Sequence, residues 1–367
     1  MLFDFIIKAI LAAFFLGGVL NLAGLLTWVE RKQSAVMQDR IGANRARIEF
    51  KSWFLAPINW VLAPLNALGL FHSLADAAKM FLKEDFMPKG ADKFLHTAAP
   101  VISVVFALLA FSAIPFGNVL YLKNHAINLQ IADINAGILF VFAMMSLGVY
   151  GVILAGFASN SNYAYLGGMR AASQMLSYEI TMGISIMGIV LHYGTMNLQD
   201  IVRHQSTHWG FMVQPLAFLL FMTAALAETK RVPFDLPEGE SEVIGYFVEY
   251  SGMKFGMFFL TDLVETVLVA CLVTTFFFGG WQVPFLAPDG FHMPWGAFYL
   301  VPSKLIAVLG ILSFMFKVAF FNWLFMAIRW TLPRFRYDQL MHLGWKILFP
   351  LSLLNTLITS IIVVLRK

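Results

Sequence analysis

Residues 211–251 read FMVQPLAFLLFMTAALAETKRVPFDLPEGESEVIGYFVEYS, an apolar run that ends abruptly in a segment rich in carboxylates. The chain has 21 aspartates and glutamates, and six of them lie between Ala227 and Ser251. Apolar side chains are interleaved with these acids, which favours a loop folded against protein over a solvated acidic loop. The stretch predicts a membrane span, followed at or just below the membrane surface by a site for proton or ion chemistry.

The composition places the whole chain in a membrane. Apolar residues make up 59% of its 367 residues, charged residues 13%, and the mean hydropathy is +0.75. A spanning helix needs about 20 apolar residues and pairs its own backbone groups. We therefore predict an all-α polytopic membrane protein with no convincing strands, a single integral membrane domain over residues 1–367. Its eight predicted spans are residues 3–29, 96–117, 131–157, 173–194, 211–228, 252–279, 301–328 and 345–365.

The distribution of basic residues predicts the orientation. Lysine and arginine accumulate in cytoplasmic loops close to the membrane. Eighteen of them fall in the loops on one side, ten in the first loop (30–95), whereas six lie on the other side. Loop 30–95 and the acidic loop 229–251 are therefore predicted to be cytoplasmic, and both termini non-cytoplasmic. The net charge of +4 reflects this topology and does not indicate a nucleic-acid partner.

Cysteine and histidine usage argues against a metal or redox centre within this chain. Cys271 is the only cysteine, whereas an iron–sulfur cluster needs about four thiolates. His204 and His208 are four residues apart but have no third ligand nearby in the sequence. We therefore expect no metal site, and any electrons must come from another polypeptide of the same assembly.

The first cytoplasmic loop contains a segment suited to the membrane interface. Residues 53–71 are too short and too interrupted by Pro57 and Pro64 to span, and their tryptophans suit the headgroup layer. The segment leads into a helix on which Asp76 and Lys79 share a face. The two are either an ordinary surface ion pair or the polar lining of a cavity that an amphipathic lipid such as a quinone enters sideways.

Three of the ionisable residues within the predicted spans are candidate functional residues. An ionisable side chain inside a membrane is a candidate functional residue by default because burying it is costly. Glu179 is predicted to lie about two turns inside the fourth span, Asp262 in the sixth and Lys317 in the seventh. The alternative is that each pairs with another charge to fix helix packing. Glu30, beside Arg31 and Lys32, is expected at the interface.

Several segments resemble one known family, the H subunit of the proton-pumping NADH–quinone oxidoreductases, or respiratory complex I. The resemblance covers almost the whole chain. Ala43, Phe157, Asn162 and Asp262 depart from the family pattern, which usually has proline, tryptophan, lysine and glutamate there. The segments that carry the resemblance are ERKQSAVMQDRIGANR (30–45), LADAAKMFLKEDFMP (74–88), GFASNSNY with SQMLSYE (156–179), AETKRVPFDLPEGESE with VEYSG (227–252) and LPRFRYDQLMHLGWKILFPLSL (332–353).

The resemblance implies a membrane component of a proton-translocating NADH:quinone oxidoreductase in the bacterial inner membrane. Such a component anchors the peripheral arm and forms much of the quinone chamber and its opening to the lipid. Its partners would be the other membrane and peripheral subunits, quinone and lipids. FMN and iron–sulfur clusters would belong to partner subunits. Arg40, Asp76 and Lys79 would line or border the chamber, and a path of buried acids would act as proton or charge relay: Glu179, Glu228, Asp235, Glu238, Glu240, Glu242, Glu249 and Asp262.

Two other classes of protein remain open on the residues alone. One is a homologous anchor subunit of a membrane-bound hydrogenase or formate-linked complex, in which no quinone is reduced. The other is a stand-alone ion transporter, which predicts internal repeats with interrupted helices at matching positions. Pro233 and Pro237 have no counterpart in the first half of the chain, which disfavours the transporter.

Overall fold

The computed structural model describes residues 2–50, 56–122, 125–206, 208–236, 245–287, 290–292 and 298–365. In these ranges the protein is an all-α polytopic membrane protein, which confirms the predicted class. The helices, in chain order, are α1 (Leu2–Met37), α2 (Ala56–Leu68), α3 (Phe71–Leu82), α4 (Lys93–Ala110), α5 (Gly137–Ala158), α6 (Asn162–Tyr193), α7 (Leu198–His204), α8 (Gly210–Val213), α9 (Pro215–Glu228), α10 (Gly252–Phe277), α11 (Ser303–Thr331), α12 (Tyr337–His342) and α13 (Phe349–Leu365).

Seven helices in the described ranges are long and apolar enough to cross a membrane. They are α1, α4, α5, α6, α10, α11 and the continuous helix of α12, a π-helical turn (Leu343–Leu348) and α13. The predicted span at 211–228 consists instead of α8 and α9, which are separated at Gln214. Pro215 explains the separation, because proline lacks an amide donor and disfavours helical geometry in the residue before it. With 14 residues, α9 is only about 21 Å long.

Two helices extend beyond their predicted limits. α1 continues to Met37, into the predicted loop 30–95, and α6 begins at Asn162 rather than at residue 173. The added turns of α6 are polar and rich in small residues, so hydropathy does not reveal them. Small residues let the backbones approach: a Cβ on Gly156 would lie 2.8 Å from the carbonyl oxygen of Ala164. As a result, Glu179 lies nearly five turns from the start of its helix rather than about two.

The centre of the bundle is α10. It packs against α1, α3, α4, α9 and α11, and its side chains are buried almost continuously from Thr261 to Phe277. Helices α4, α5, α6, α9 and α13 pack in sequence around it. Such continuous burial requires apolar residues on all faces of the helix, and Asp262 and Glu265 are therefore exceptions that need partners.

The loops on the predicted cytoplasmic side are built into the bundle. α2 occupies the predicted interfacial segment, and the Asn66 amide exchanges hydrogen bonds of 3.0 and 3.1 Å with the backbone of Ile48. α3 follows it and contacts both α1 and α10. The first cytoplasmic loop is thereby fixed against the spans at its Asp76 end.

The described ranges also contain five short strands, where the sequence predicts no convincing ones. They form two small antiparallel sheets in the loops on the predicted non-cytoplasmic side. The strands of a hairpin satisfy each other's backbone hydrogen bonds, so a short loop between two spans can be ordered without forming a helix. The strands are β1 (Leu120–Leu122), β2 (His125–Ile127), β3 (Leu286–Ala287), β4 (Gly290–His292) and β5 (Phe298–Leu300).

Candidate functional site

A cavity of about 580 Å³ opens between α1, α3, the end of the acidic loop and the start of α10. This lateral cavity has a polar side, where the Arg31 guanidinium lies 2.5 Å from the Asp76 carboxylate and Lys79 lies beside them. Its other side is apolar and aromatic, formed by Met80, Phe247, Val248, Tyr250, Phe255 and Phe259. Its size is within the range of small-molecule sites, and its lining suits an amphipathic ligand.

Hydrogen bonds and an ion pair hold the walls of the lateral cavity together. The Ser251 hydroxyl accepts a hydrogen bond from the Phe86 amide at 2.7 Å and donates one to the Glu84 carbonyl at 3.0 Å. Lys254 reaches Asp85 at 2.9 Å. Gly252 has φ of +56° beside the carbonyl of Lys83, a conformation that favours glycine. The sequence VEYSG therefore turns tightly against the end of α3.

Asp76 and Lys79 lie at this cavity, but Arg40 does not belong to its lining in the described residues. Arg40 is exposed in the turn after α1, where its amide donates to the Ala35 carbonyl at 2.9 Å. The cation beside Asp76 is Arg31, which no pattern in the sequence singles out. A role for Arg40 at the chamber stays a prediction.

Glu228, the last residue of α9, is fully buried. Neither of its carboxyl oxygens has a hydrogen-bond partner among the described residues. It borders a cavity of about 10 Å³ with Glu265, Ala107 and residues 144, 145 and 148 near the middle of α5. Glu228 is therefore packed against the middle of α5, because the 14-residue α9 ends inside the bundle. Its predicted position at or just below the membrane surface stays a prediction.

Lys230 is buried two residues later and faces α10. Its ammonium lies 2.9 Å from Oδ1 of Asp262 and 3.4 Å from Oε2 of Glu265, and its side chain is only 1% exposed. Burial would lower the pKa of Lys230, but the two carboxylates more than offset this and raise it above the usual range. Asp262 and Glu265 are one helical turn apart, so both point to the same cation.

Asp235 is the next buried acid along the acidic loop. The guanidinium of Arg334, in the segment between α11 and α12, lies 3.1 Å from its carboxylate. Burial nevertheless raises the pKa of Asp235 to about 6, against the opposing effect of Arg334 and Arg329. A second small cavity, about 30 Å³, joins Asp235 to Asp262. It is also lined by Arg231, Val232, Phe259 and Arg329.

Phe259 is the wall between the two parts of the site. One turn after Phe255 on α10, it lines both the lateral cavity and the small cavity of Asp235 and Asp262. Phe259 therefore borders both the amphipathic cavity and the Asp235 and Asp262 end of the buried charge cluster. We define this cluster as Glu228, Lys230, Asp235, Asp262 and Glu265.

Glu30 ties this region to the first span. Its carboxylate contacts Arg231, at 3.4 Å, and also Arg329 of α11. The Glu30 side chain is only 13% exposed, so it is packed among protein groups. Its expected position at the membrane interface stays a prediction. The three residues connect α1, the acidic loop and α11.

The remaining predicted acids differ in their positions. Glu179 lies in the middle of α6, where it accepts a hydrogen bond from Ser146 of α5, and it is close enough to Glu228 to interact electrostatically. Glu249 is half-buried in the turn before α10, where its carbonyl faces Nε2 of His96 at 3.4 Å. Glu238, Glu240 and Glu242 lie outside the described residues, so their place in the path stays a prediction.

Contacts from α6 and from residues 332–345 hold the acidic loop in place. The buried Gln174 amide donates to the carbonyls of Ala227 and Phe234 at 2.8 and 2.7 Å. The rings of Phe234 and Phe335 stack with centroids 5.4 Å apart. The Tyr178 hydroxyl donates to the Leu340 carbonyl at 2.9 Å. Three of the segments quoted from the sequence, those around residues 174–179, 227–236 and 332–345, thus meet in space.

Sequence reasoning missed Arg31, Lys230 and Glu265. A signal for Glu265 was present, because it follows Asp262 by three residues in an apolar segment and must share a helix face with it. Lys230 and Arg31 had no such signal. Both lie among other basic residues at predicted span ends, where a role in topology already accounts for them.

Lys317 contacts the backbone at the end of α10 rather than the buried acids. Its ammonium donates to the carbonyls of Phe278, Gly280 and Gln282 at 2.8, 2.9 and 2.6 Å, directly after the end of α10. It also lies 4.9 Å from the ring of Trp209. A cation at a helix C-terminus satisfies carbonyls that the helix itself leaves unpaired. The arrangement matches the alternative in which the charge fixes helix packing.

These features define a helical membrane protein that combines a laterally placed amphipathic cavity with buried ionisable groups. A family model described as NADH dehydrogenase matches residues 7–360. The chain is 42% identical over 341 residues to H subunit 1 of the NADH-quinone oxidoreductase of Cytophaga hutchinsonii, covering 92% of this chain and 91% of that protein. It is 43% identical over 349 residues to H subunit 1 of the Geobacter metallireducens enzyme, covering 95% and 94%.

A third relative, H subunit 2 of the NADH-quinone oxidoreductase of Geobacter sulfurreducens, is 44% identical over 343 residues, or 93% of this chain and 92% of that protein. The chain therefore belongs to the NADH dehydrogenase family, among the H subunits of NADH-quinone oxidoreductases, and the family predicted from the quoted segments is confirmed.

Proposed function

We propose that the chain is a membrane subunit of a bacterial NADH–quinone oxidoreductase that holds the quinone during its reduction and passes the resulting charge change to buried carboxylates. The observation that carries the proposal is the position of Phe259, which borders both the lateral cavity and the cavity of Asp235 and Asp262. Events in one cavity therefore occur one side chain away from ionisable groups in the other.

In this proposal a quinone enters the lateral cavity from the lipid. Its ring would lie toward Arg31, Asp76 and Lys79, and its apolar tail along the aromatic wall and out into the membrane. Electrons would come from partner subunits of the peripheral arm, which this chain anchors. Reduction to quinol needs two electrons and two protons, so the charged residues at the polar end are placed to stabilise a reduced anion and to exchange protons.

The buried charge cluster would carry the coupling. A charge that appears in the lateral cavity changes the electrostatic energy of nearby ionised groups, and closely spaced acids respond as one coupled set. The groups nearest the cavity are Asp262 and Asp235, followed by Lys230 and Glu265, and then by Glu228 and Glu179. Proton translocation would begin from a change in occupancy along this series, with no electron passing through the chain.

A photoreactive quinone analogue tests the proposal in the intact complex, purified through a tag on a partner subunit. We expect labelled peptides from α3 and from the first turns of α10, with labelling reduced by excess quinone. Co-purification of an NADH-oxidising flavin module is expected as well. Labelling confined to other subunits would overturn the chamber assignment, and a nickel-containing partner without quinone reduction would favour the hydrogenase-type anchor.

A further inference from the structure

Lys230 occupies a backbone position that does not suit a lysine. Its φ of +53° lies in the left-handed region, where residues other than glycine and asparagine are uncommon. Such a conformation is maintained only when the surroundings compensate for its cost. The compensation here is the pair of contacts that its ammonium makes with Asp262 and Glu265. The contacts of the side chain, rather than the conformation of the turn, therefore explain why a lysine occupies this position.

The buried carboxyl groups around Lys230 differ sharply in how they are satisfied. Asp262 and Glu265 share the ammonium at 2.9 and 3.4 Å. Glu228 is at least as buried, yet it forms no ion pair among the described residues. A buried carboxylate is tolerated when it is paired and is very costly when it is not. The single ammonium thus divides these three acids into two paired ones and one unpaired one.

We propose that Lys230 is a positioning residue of the relay: its ammonium stabilises the ionised forms of Asp262 and Glu265, and Glu228, which has no such partner, is the member of this group that binds and releases the proton. The inference rests on the proposed function, since it assigns roles within the same site. It also gives an order to the path. Glu228 and Glu265 share the small cavity of about 10 Å³, Lys230 joins Glu265 to Asp262, and Asp262 shares the next cavity with Asp235.

The groups around Lys230 determine the expected effect of removing its positive charge. The groups that face it are Asp262 and Glu265 from α10, Glu228 from α9 and the ring of Tyr246, whose centroid lies 5.9 Å from the ammonium. Arg231, Asp235 and Arg329 lie beyond Asp262. With the ammonium gone, the paired acids lose their buried counter-charge, and each competes with Glu228 for the proton.

The test compares Lys230→Met and Lys230→Arg in the complete complex, in closed membrane vesicles. The measurement is quinone-reduction-driven proton translocation as a function of pH. For Lys230→Met we expect the acid limb of the profile to move to higher pH by about one unit or more, which is a tenfold change in proton affinity. Lys230→Arg keeps the charge, so its profile is expected to stay close to the parental one.

Lys317→Met is the matched control, because Lys317 is a half-buried lysine whose ammonium is held by three backbone carbonyls at 2.6–2.9 Å. It lies outside both the lateral cavity and the buried charge cluster, so we expect it to lower the amount of assembled complex without moving the acid limb. If Lys230→Met fails to assemble, the double variant Lys230→Met with Glu265→Gln, which removes both charges of one pair, is measured instead and is expected to show the shifted limb.

The result that overturns the inference is a parental pH profile in either assembled variant that lacks Lys230. Failure of the proposed function has a different signature, since the parental complex itself would then not reduce quinone. Electron transfer from NADH to a water-soluble acceptor, taken upstream of the membrane, monitors the peripheral arm in every variant.

Discussion

The guanidinium of Arg334 lies 3.1 Å from the carboxylate of Asp235, so the segment between the last two spans is paired with the acidic loop. Arg334 is half-exposed, whereas Asp235 is buried. The pair therefore connects a half-exposed cation on the predicted cytoplasmic side to a carboxylate inside the protein, and in the proposed relay it would be the point at which protons enter the buried charge cluster.

Asp235 is expected to give the complex a titration near pH 6. Its pKa is raised from 3.8 to about 6, so the folded state holds this proton more tightly than the unfolded state does. Its contribution to stability therefore decreases as the pH rises from about 4 to about 6, and is constant above that. Asp235→Asn should raise the thermal unfolding temperature more at pH 8 than at pH 5. In infrared difference spectra, the Asp235→Asn variant should lack a carboxyl band that titrates near pH 6 in the parental complex. If the band remained unchanged, the group that titrates would be a different carboxyl.

Asp76→Asn is expected to slow quinone reduction by about tenfold, because it removes the charge paired with Arg31 at the polar end of the lateral cavity. A loss of about 1.4 kcal/mol of electrostatic stabilisation at this end of the cavity corresponds to a factor of ten. Electron transfer from NADH to a water-soluble acceptor serves as the internal control and should be nearly unchanged. An equal loss of both activities in a correctly assembled complex would indicate a general structural role.

Glu228→Gln is expected to lower coupled quinone reduction and proton translocation by about a hundredfold, as for loss of a positioned acid–base group. Glutamine keeps the shape but cannot exchange a proton, whereas Glu228→Asp can and should retain a substantial part of the activity. We expect the same order for Glu179. The amount of intact complex in the membrane must be measured alongside. Glutamine variants that assemble and pump at the parental rate would make these acids packing elements.

The predicted orientation can be checked with single cysteines at two exposed positions. Lys304, at the start of α11, should react with an impermeant thiol reagent added to intact cells, whereas Arg336, before α12, should react only after permeabilisation. Both residues are exposed in the chain, so the difference reports sidedness. If only the cysteine at position 336 were labelled in intact cells, the orientation of the chain would be the opposite of the predicted one.

Lys317→Met is expected to lower stability rather than coupling. It leaves three carbonyls after the end of α10 without their charged donor, at a cost on the order of 3 kcal/mol. We expect less assembled complex and a lower unfolding temperature, with a parental ratio of protons moved to quinone reduced in the complex that remains. A changed ratio at normal assembly would return Lys317 to the candidate relay.

Much of the fold follows directly from hydropathy, because burial in lipid demands long apolar helices. The same reasoning places the start of α6 eleven residues too late, since the small residues Ala164, Gly167 and Gly168 pack against α5 and the acidic loop rather than against lipid. It also makes one span out of α8 and α9, because their apolar character does not show the change of direction at Gln214.

The site was predictable in its residue types and less so in its pairings. Asp76, Glu179, Glu228 and Asp262 stand out because an acid within or beside apolar sequence is expensive to bury. Their partners come from other helices and loops, such as Lys230 for Asp262 and Arg31 for Asp76, and no spacing in the sequence encodes those distances. The depth of Glu228 depends on where α9 begins and ends within the bundle, which is a property of the packed structure.

The depth of Glu228 has an electrical consequence. The cavity beside it is lined from the middle of α5, so in the proposed relay a proton bound there would lie about halfway along the spanning helices. Moving one elementary charge across the whole membrane changes its free energy by about 2.3 kcal/mol per 100 mV, and the change at half depth is about 1 kcal/mol. If Glu228 carries the relayed proton, the shortness of α9 would make its proton occupancy depend on the membrane potential as well as on the local pH.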